Sequence, residues 1–517
     1  MRIDKVYIEK FKNLKKFNIH LDERQMNTVL LGENATGKSN FLEALVLIFK
    51  FLDISDESNR SYPDFLYRIE YKCRERNIKI EYAKNGYEIY IDNVKISLKH
   101  FFSKEGKREY LPKYVFTYYS GLSDRLDKIF WQHQNNFYKE IIKADFDKAK
   151  LDDLRRLFYV KQIHSFFVLL AFFSLPKIEK KSKEFLYNIL GIEDLESVLF
   201  VLKKPTWENE KGDERFWGAR GLVQEFLSTL WDYSLAPIYH GDKVYPDFRS
   251  KGVTQERLYL YISNKENLKL FAKKYFDINQ EAPNNTFLFK ALESTYISEL
   301  LEEVKVRVKK KTHGEITFKE LSEGEQQLLT VIGLLIFTRE DESLVLLDEP
   351  DTHLNPIWKY DYLYFLKSLV KSKNTIAEEN TETEDGEDRT TQILINTHDP
   401  LVIGSMEKSQ VRMFGKNKIK NCTDAIEPDV SPRGLGVAGI LTSELFGLKS
   451  IIDRETQGLL DERNLLMYKE SKGELTEEDK KRLQDLFEEL SIKGFNHTFK
   501  DPLYSEYIIN KMNESKG

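Results

Sequence analysis

An α/β fold built on a parallel sheet is predicted by three stretches of this 517-residue chain. The first is the apolar run NTVLL at 27–31, followed by a glycine loop and a helix-like stretch at 40–48. The second is SLVLL at 343–347, running into Asp348, Glu349 and Pro350. The third is QILIN at 392–396, running into Thr397 and His398. Short, continuous apolar runs are expected of parallel strands buried on both faces, and such strands deliver polar groups at their C-terminal ends. The rest of the chain reads as a mostly helical insert within this fold and a helical C-terminal extension.

In chain order, 3–14 and 19–21 alternate apolar and polar residues, which predicts two strands leading into the first parallel strand. The loop Gly32-Glu33-Asn34-Ala35-Thr36-Gly37-Lys38-Ser39 has the form G-x-x-x-x-G-K-[ST]. Its glycines let backbone N–H groups turn inward around a polyphosphate, and the helix N-terminus adds partial positive charge. Lys38 then reaches the outer phosphates and Ser39 is placed to ligate Mg²⁺. Strand, loop and helix together point to a nucleoside triphosphate site; the alternative is a chance glycine turn. A further strand is expected at 113–119, ending in Ser120 and Gly121.

Residues 121–304 read as the insert, rich in aromatic residues, with turn breaks at 203–205, 209–212 and 282–285. Its apolar run at 165–175 is about half a membrane span and reads as a buried helix. Sustained heptads are absent, which argues against long coiled-coil arms. The stretch 304–311 alternates valines with Lys305, Arg307, Lys309 and Lys311, so it reads as a strand with one basic face: a solvated face, or a surface that touches phosphates.

Ser322 with Glu325 three residues on forms a capping-box start for a helix expected over 328–337, and a free helix N-terminus is also what an anion site needs. Asp348 is the expected Mg²⁺ carboxylate and Glu349 the expected general base for the water attacking the γ-phosphate. The insertion at 371–391 is acidic, lacks apolar residues and reads as a solvated loop. The tail at 431–517 holds helical runs at 455–468 and 476–490, the second with Thr476 as its start signal.

Hydrophobic residues make up 41% and charged residues 32% of the chain, with a net charge of −5. That composition suits a globular protein with a heavily charged surface and gives no overall electrostatic case for nucleic-acid binding. No signal peptide or membrane span is read, and Cys73 and Cys422 lie far apart, which suggests a reducing, cytoplasmic setting. The nine histidines are scattered, and no TOPRIM or H-N-H nuclease set is present.

The order of glycine loop, Leu321-Ser322-Glu323-Gly324-Glu325-Gln326-Gln327, strand acids, Asp351–Pro356 segment and His398 resembles the ABC-type ATPases, in the branch of RecF, SMC and overcoming-lysogenization-defect proteins. The resemblance divides the chain into head halves at 1–120 and 305–430, flanking the insert. It implies that Ser322, Gly324 and Glu325 meet ATP held by the P-loop of a second copy, in a head-to-head dimer or higher oligomer, and that His398 reads the γ-phosphate. A glutamine after the central strand is usual in such heads; none is assigned here, since Ser120 and Gly121 follow 113–119 and Gln132 and Gln134 come later. The compact insert, the segments 118–126 and 436–444, and a tail without a nuclease are similar to the PtuA-like ATPases of Septu and retron-associated anti-phage systems. That resemblance implies an H-N-H nuclease partner of the PtuB type, a reverse transcriptase with its noncoding RNA and multicopy single-stranded DNA, and contact with nucleic acid. Partner contacts are expected from the insert and tail, the alternative for the tail being to cover the head's own sheet. A RecF-like DNA-repair ATPase is the alternative; a transporter subunit suits the N-terminal strands and the insert poorly.

Overall fold

The N-terminal alternation closes as a hairpin, with β1 (Arg2–Phe11) against β2 (Leu14–His20) in the register Val6 to Ile19 and Ile8 to Phe17, so that all four side chains are buried on one face. The second strand is longer than the 19–21 stretch expected. The computed structural model describes residues 1–121, 125–143, 155–176, 183–207, 212–245, 247–249, 251–281, 285–312, 315–319, 321–333, 335, 342–369, 391–417 and 422–495. Apart from Thr391, the acidic insertion at 371–391 lies outside them. They form two compact units, Met1–Val437 and Ala438–Gly517.

After β3 (Asn27–Gly32) the chain forms an antiparallel meander of β4 (Tyr67–Cys73), β5 (Arg76–Ala83), β6 (Gly86–Ile91) and β7 (Val94–Lys95). Next come β8 (Val115–Tyr119), β9 (Leu157–Val160), β10 (Ile192–Lys203), β11 (Ile238–Val244) and β12 (Val253–Ile262). Then follow β13 (Leu301–Thr312), β14 (Glu315–Lys319), β15 (Leu344–Asp348), β16 (Gln392–Asn396), β17 (Val411–Asn417) and β18 (Cys422–Ile426). Thirteen strands make one sheet in the order β7-β6-β5-β4-β1-β2-β18-β17-β3-β16-β15-β8-β9. Its segment from β17 to β9 is parallel at every pairing, as the apolar runs require. The fold is thus the α/β P-loop type.

The helix Lys38–Ile54 packs across this sheet through Phe41, Leu45, Ile48, Phe49 and Leu52. Phe41 meets Phe17 and Phe414 with ring centroids 5.3 and 5.9 Å apart, joining the helix to the hairpin and to β17. Burial of each such ring contributes about 2–3 kcal/mol, enough to hold the helix N-terminus in place against the loop.

Residues 121–304 contain more helix than strand, including the expected buried helix His164–Ser174. They differ from the sequence expectation in two ways: β9 joins the main sheet beside β8, and β10 to β12 pair with β13 and β14 in a second, antiparallel sheet. The apolar stretch of β10 suits a buried helix and a buried strand equally well, and only pairing with β12 and β13 decides between them. In β13, Val304, Val306 and Val308 are buried while Lys305 and Arg307 are exposed. Those two cations sit 3.5 Å from Glu303 and 3.8 Å from Glu196.

The helix begun by Ser322 runs as Glu323–Leu328 and then widens into a π turn at Leu329–Gly333, not one regular α-helix over the described part of 328–337. At Gly333 a Cβ would collide with Val168, so the π turn lies tight against the buried helix. In the second unit, helices Arg454–Ser471 and Glu477–Ile492 pack through Leu466, Leu483 and Leu486, and Arg482 chelates Glu462 at 2.8 and 2.7 Å. Thr476 caps the second helix with Asp479 in a capping box, as its sequence position predicts. No helix among the described residues is long and apolar enough to cross a membrane.

Candidate functional site

The strand order puts β16 between β3 and β15, so the glycine loop, Asn396 and Asp348 leave the sheet side by side at its C-terminal edge. The loop can turn there because of its two end glycines. Gly32 has φ +141° and a Cβ on it would lie 2.5 Å from the Phe414 carbonyl oxygen; Gly37 has φ +109° and its Cβ would lie 2.6 Å from Leu14 Cδ2. Neither position admits a side chain without moving a neighbour. Thr36 Oγ1 donates to the Glu33 carbonyl at 2.7 Å, and Asn13 Nδ2 donates to the Ala35 carbonyl at 2.7 Å, bracing the tip from the β1–β2 turn. Glu33, Asn34 and Ala35 are exposed, while Lys38 is buried.

Lys38 Nζ curls back over the loop and donates to the carbonyls of Gly32 at 2.6 Å and Glu33 at 3.0 Å. Burial lowers its pKa from the usual lysine value to about 8, against the opposing pull of Asp348 and Glu349. A polyphosphate binds the ammonium and not the amine, so cation-free affinity should fall as pH rises through this value. Between pH 8 and 9.5, where the terminal phosphate of ATP is already ionised, titration with ATP in the absence of divalent cations should show a loss of roughly tenfold that is absent in Lys38→Ala. A flat profile in the parent would refute the depressed lysine.

Asp348 is 1% exposed, and burial raises its pKa while hydrogen bonds from Asn396 and Ser39 oppose the rise. Ser39 Oγ donates to Asp348 Oδ1 at 3.1 Å, and Asn396 Nδ2 donates to the same oxygen. Asp348 Oδ2 is buried with no partner. An all-oxygen pair with one unsatisfied carboxylate oxygen suits Mg²⁺, which takes one or two protein oxygens and completes its shell with water and phosphate. Ser39 and Asp348 are the residues that would hold it.

Glu349 has φ +53°, a conformation in which a side chain of this size costs about 1–2 kcal/mol. It is held there by its N–H, which donates to the Asn396 carbonyl at 2.8 Å, and the turn swings its partly exposed carboxylate to 3.4 Å from His398 Nε2. Burial, with the charge of Lys38 as a second cause, lowers the His398 pKa and favours the neutral imidazole. Asp351, in the following turn, is pushed up to about 6 by burial, and accepts from Thr397 Oγ1 at 3.0 Å.

Residues 32–39, Asp348, Glu349 and His398 are therefore gathered at one sheet edge, whereas Ser322, Gly324 and Glu325 are engaged elsewhere. The Ser322 side chain accepts from Glu325 N at 3.4 Å, Glu325 returns a bond to Ser322 N at 2.8 Å, and Lys310 pairs with Glu325. Gly324 lies close beneath the His353 carbonyl, and His353 N donates to Gln327 Oε1 at 2.9 Å, so the helix start and the turn after Glu349 share a surface. Ser120 follows β8 as the sequence indicated, with its hydroxyl 3.1 Å from Thr352 Oγ1; Leu122 to Asp124 lie outside the described residues. Sequence reasoning missed Asn13 and Asn396. For Asn396 the available signal was a polar residue closing an apolar strand two places before His398.

Two protein families match this chain. One is described as AAA domain, putative AbiEii toxin, Type IV TA system, over residues 173–404; the other as Protein of unknown function (DUF2813), over residues 1–81. The Septu protein PtuA of Bacillus mycoides (strain KBAB4) is 25% identical over 224 residues, which are 40% of this chain and 28% of that protein. Protein ea59 of Escherichia phage lambda is 30% identical over 129 residues, 25% of this chain and 21% of that protein. The chain thus spans less than a third of the length of either relative. Among solved structures, an SMC head bound to the C-winged helix domain of ScpA aligns at 10% identity and TM-score 0.30, over 82% of this chain and 97% of that one. RecF with ATPrS aligns at 16% identity and TM-score 0.27, over 82% and 98%. The resemblance to PtuA-like ATPases read from the motifs agrees with the PtuA match, and the AAA-domain match spans the residues carrying Asp348, Glu349 and His398.

Proposed function

We propose that this site binds ATP with Mg²⁺ and hydrolyses it, and that the chain is the regulatory or sensor ATPase of a bacterial anti-phage defence complex, acting in the cytoplasm on a partner nuclease of the H-N-H type. The observation that carries the chemistry is the convergence of Lys38, Ser39, Asp348, Glu349 and His398 on neighbouring strand ends. Bound Mg²⁺ would supply charge for the terminal phosphates. The chain's own groups do the rest. Loop N–H groups and Lys38 bind the polyphosphate, Asp348 and Ser39 fix the cation, and Glu349 takes a proton from the attacking water. His398, beside Glu349 and kept neutral by burial, is placed to contact the γ-phosphate oxygen or orient that water.

The defence role is supported by the similarity to PtuA. The H-N-H partner, the reverse transcriptase with its RNA and single-stranded DNA, and their docking on the insert or on 431–517 are carried over from the resemblance alone. With Ser322, Gly324 and Glu325 bonded away from their own P-loop, the reading includes a second copy that completes each site.

Glu349→Gln tests the chemistry. The variant should bind ATP as the parent does and turn it over about 10²–10⁴-fold more slowly, the usual contribution of a general base. Unchanged turnover would remove Glu349 from that role. In the same preparation, nuclease activity should require a co-expressed H-N-H protein; degradation of DNA and RNA by the chain alone would contradict the division of labour.

A further inference from the structure

Asn396 closes β16, is 1% exposed, and stands opposite Asp348 in the parallel register. Its amide nitrogen is shared: it donates to Asp348 Oδ1 and, at 3.3 Å, to Ser39 Oγ. Turning the amide over would set its carbonyl oxygen against the carboxylate oxygen, so the hydrogen-bond network fixes which way it points. Two oxygens are then left buried without partners, Asn396 Oδ1 and Asp348 Oδ2. Such acceptors cost about 1–3 kcal/mol each, and two of them beside the P-loop hydroxyl mark a place that gains when something with protons to donate arrives. A hydrated divalent cation meets that description, because Mg²⁺ keeps several of its waters and each water is a donor.

A simple tie between strands would not need this arrangement. The pairing of β15 with β16 is already made by the backbone, including Glu349 N to the Asn396 carbonyl at 2.8 Å, and an apolar side chain at 396 would add no unpaired oxygen of its own.

We propose that Asn396 is a positioning residue for the divalent cation: its amide nitrogen holds Asp348 and Ser39 in place, and its carbonyl oxygen accepts a hydrogen bond from a water that the cation carries. This rests on the reading of the site as a Mg²⁺–ATP site. It adds a third side chain, from the strand between the other two, to the pair the motifs identify.

The test uses the full chain, a non-hydrolysable ATP analogue, and Mn²⁺ as the probe, with bound Mn²⁺ counted by electron paramagnetic resonance. Asn396→Ala should weaken Mn²⁺ in the analogue complex about 10–100-fold, as expected for a group that orients a metal's ligands, while analogue affinity without cation changes by less than about twofold. Asn396→Asp returns an oxygen acceptor beside Asp348 and adds negative charge. It should recover about tenfold or more of the lost Mn²⁺ affinity and weaken cation-free analogue binding. Parental Mn²⁺ affinity in Asn396→Ala overturns the proposal, and so does an equal loss of analogue affinity with and without cation, which would mean a role in the fold only. If Asn396→Ala does not fold, Asn396→Asp decides alone: Mn²⁺ affinity no more than about tenfold below the parent, with weakened cation-free analogue binding, supports the inference, and a larger loss overturns it. A parent that fails to bind the analogue at all would instead remove the nucleotide reading beneath it.

Discussion

Lys38→Ala should lose most of its ATP affinity while the protein stays folded. The ammonium is 4% exposed and makes two charge-assisted bonds to the loop carbonyls, at 2.6 and 3.0 Å from Gly32 and Glu33. With nucleotide present those bonds are exchanged for phosphate oxygens, and removing them costs about 3 kcal/mol or more, a drop in affinity of at least about a hundredfold. Loop N–H groups and the helix dipole remain, so weak residual binding is expected, not none. Stability of the free protein should change little, because the lost bonds are offset by relief from burying a charge that desolvation already drives toward the neutral amine. Titration of a fluorescent ATP analogue alongside a thermal melt separates the two quantities. Parental affinity in a folded variant would place the nucleotide elsewhere.

Ser322→Arg should abolish turnover with nucleotide binding to the single chain intact. Its own structural cost is bounded: the variant removes the side-chain acceptor for Glu325 N at 3.4 Å, a helix cap worth about 0.5–2 kcal/mol. Ser322→Ala carries the same loss without the bulk and charge, and serves as the control for it. Among the described residues no hydrogen bond joins 322–325 to 32–39, so an effect on hydrolysis arises either between chains or through the surface that the helix start shares with the turn after Glu349. Mixing Ser322→Arg with Lys38→Ala in equal amounts makes this decisive. Half of the dimers then pair an intact P-loop with an intact Ser322 at one of two sites, and roughly a quarter of parental turnover should return. Parental turnover by Ser322→Arg alone, or no recovery on mixing, would contradict a site shared between copies.

The P-loop, the acids after β15 and the histidine after β16 were legible because each is local: a strand, a tight turn and a polar residue within about ten positions, with the glycines marking backbone that no side chain tolerates. The tail helices and the alternation of β13 were legible for the same reason. The second sheet was not, since β10 owes its identity to β12 and β13, which begin about 60 and 110 residues after it in sequence, and an apolar run does not name its partner.

The sequence by itself determined the chemistry available to this chain, because the residue types at Lys38, Ser39, Asp348, Glu349 and His398 and the local geometry of their turns are set within a few positions. Tertiary structure alone decided how those pieces meet. Inserting β16 between β3 and β15 carries Asn396 to both Ser39 and Asp348, residues 357 and 48 positions away. Likewise, folding the β1–β2 turn against the loop brings Asn13 to the Ala35 carbonyl. Those contacts depend on strand order, and strand order comes from the burial of whole faces summed over the sheet, a quantity that no short stretch of sequence contains.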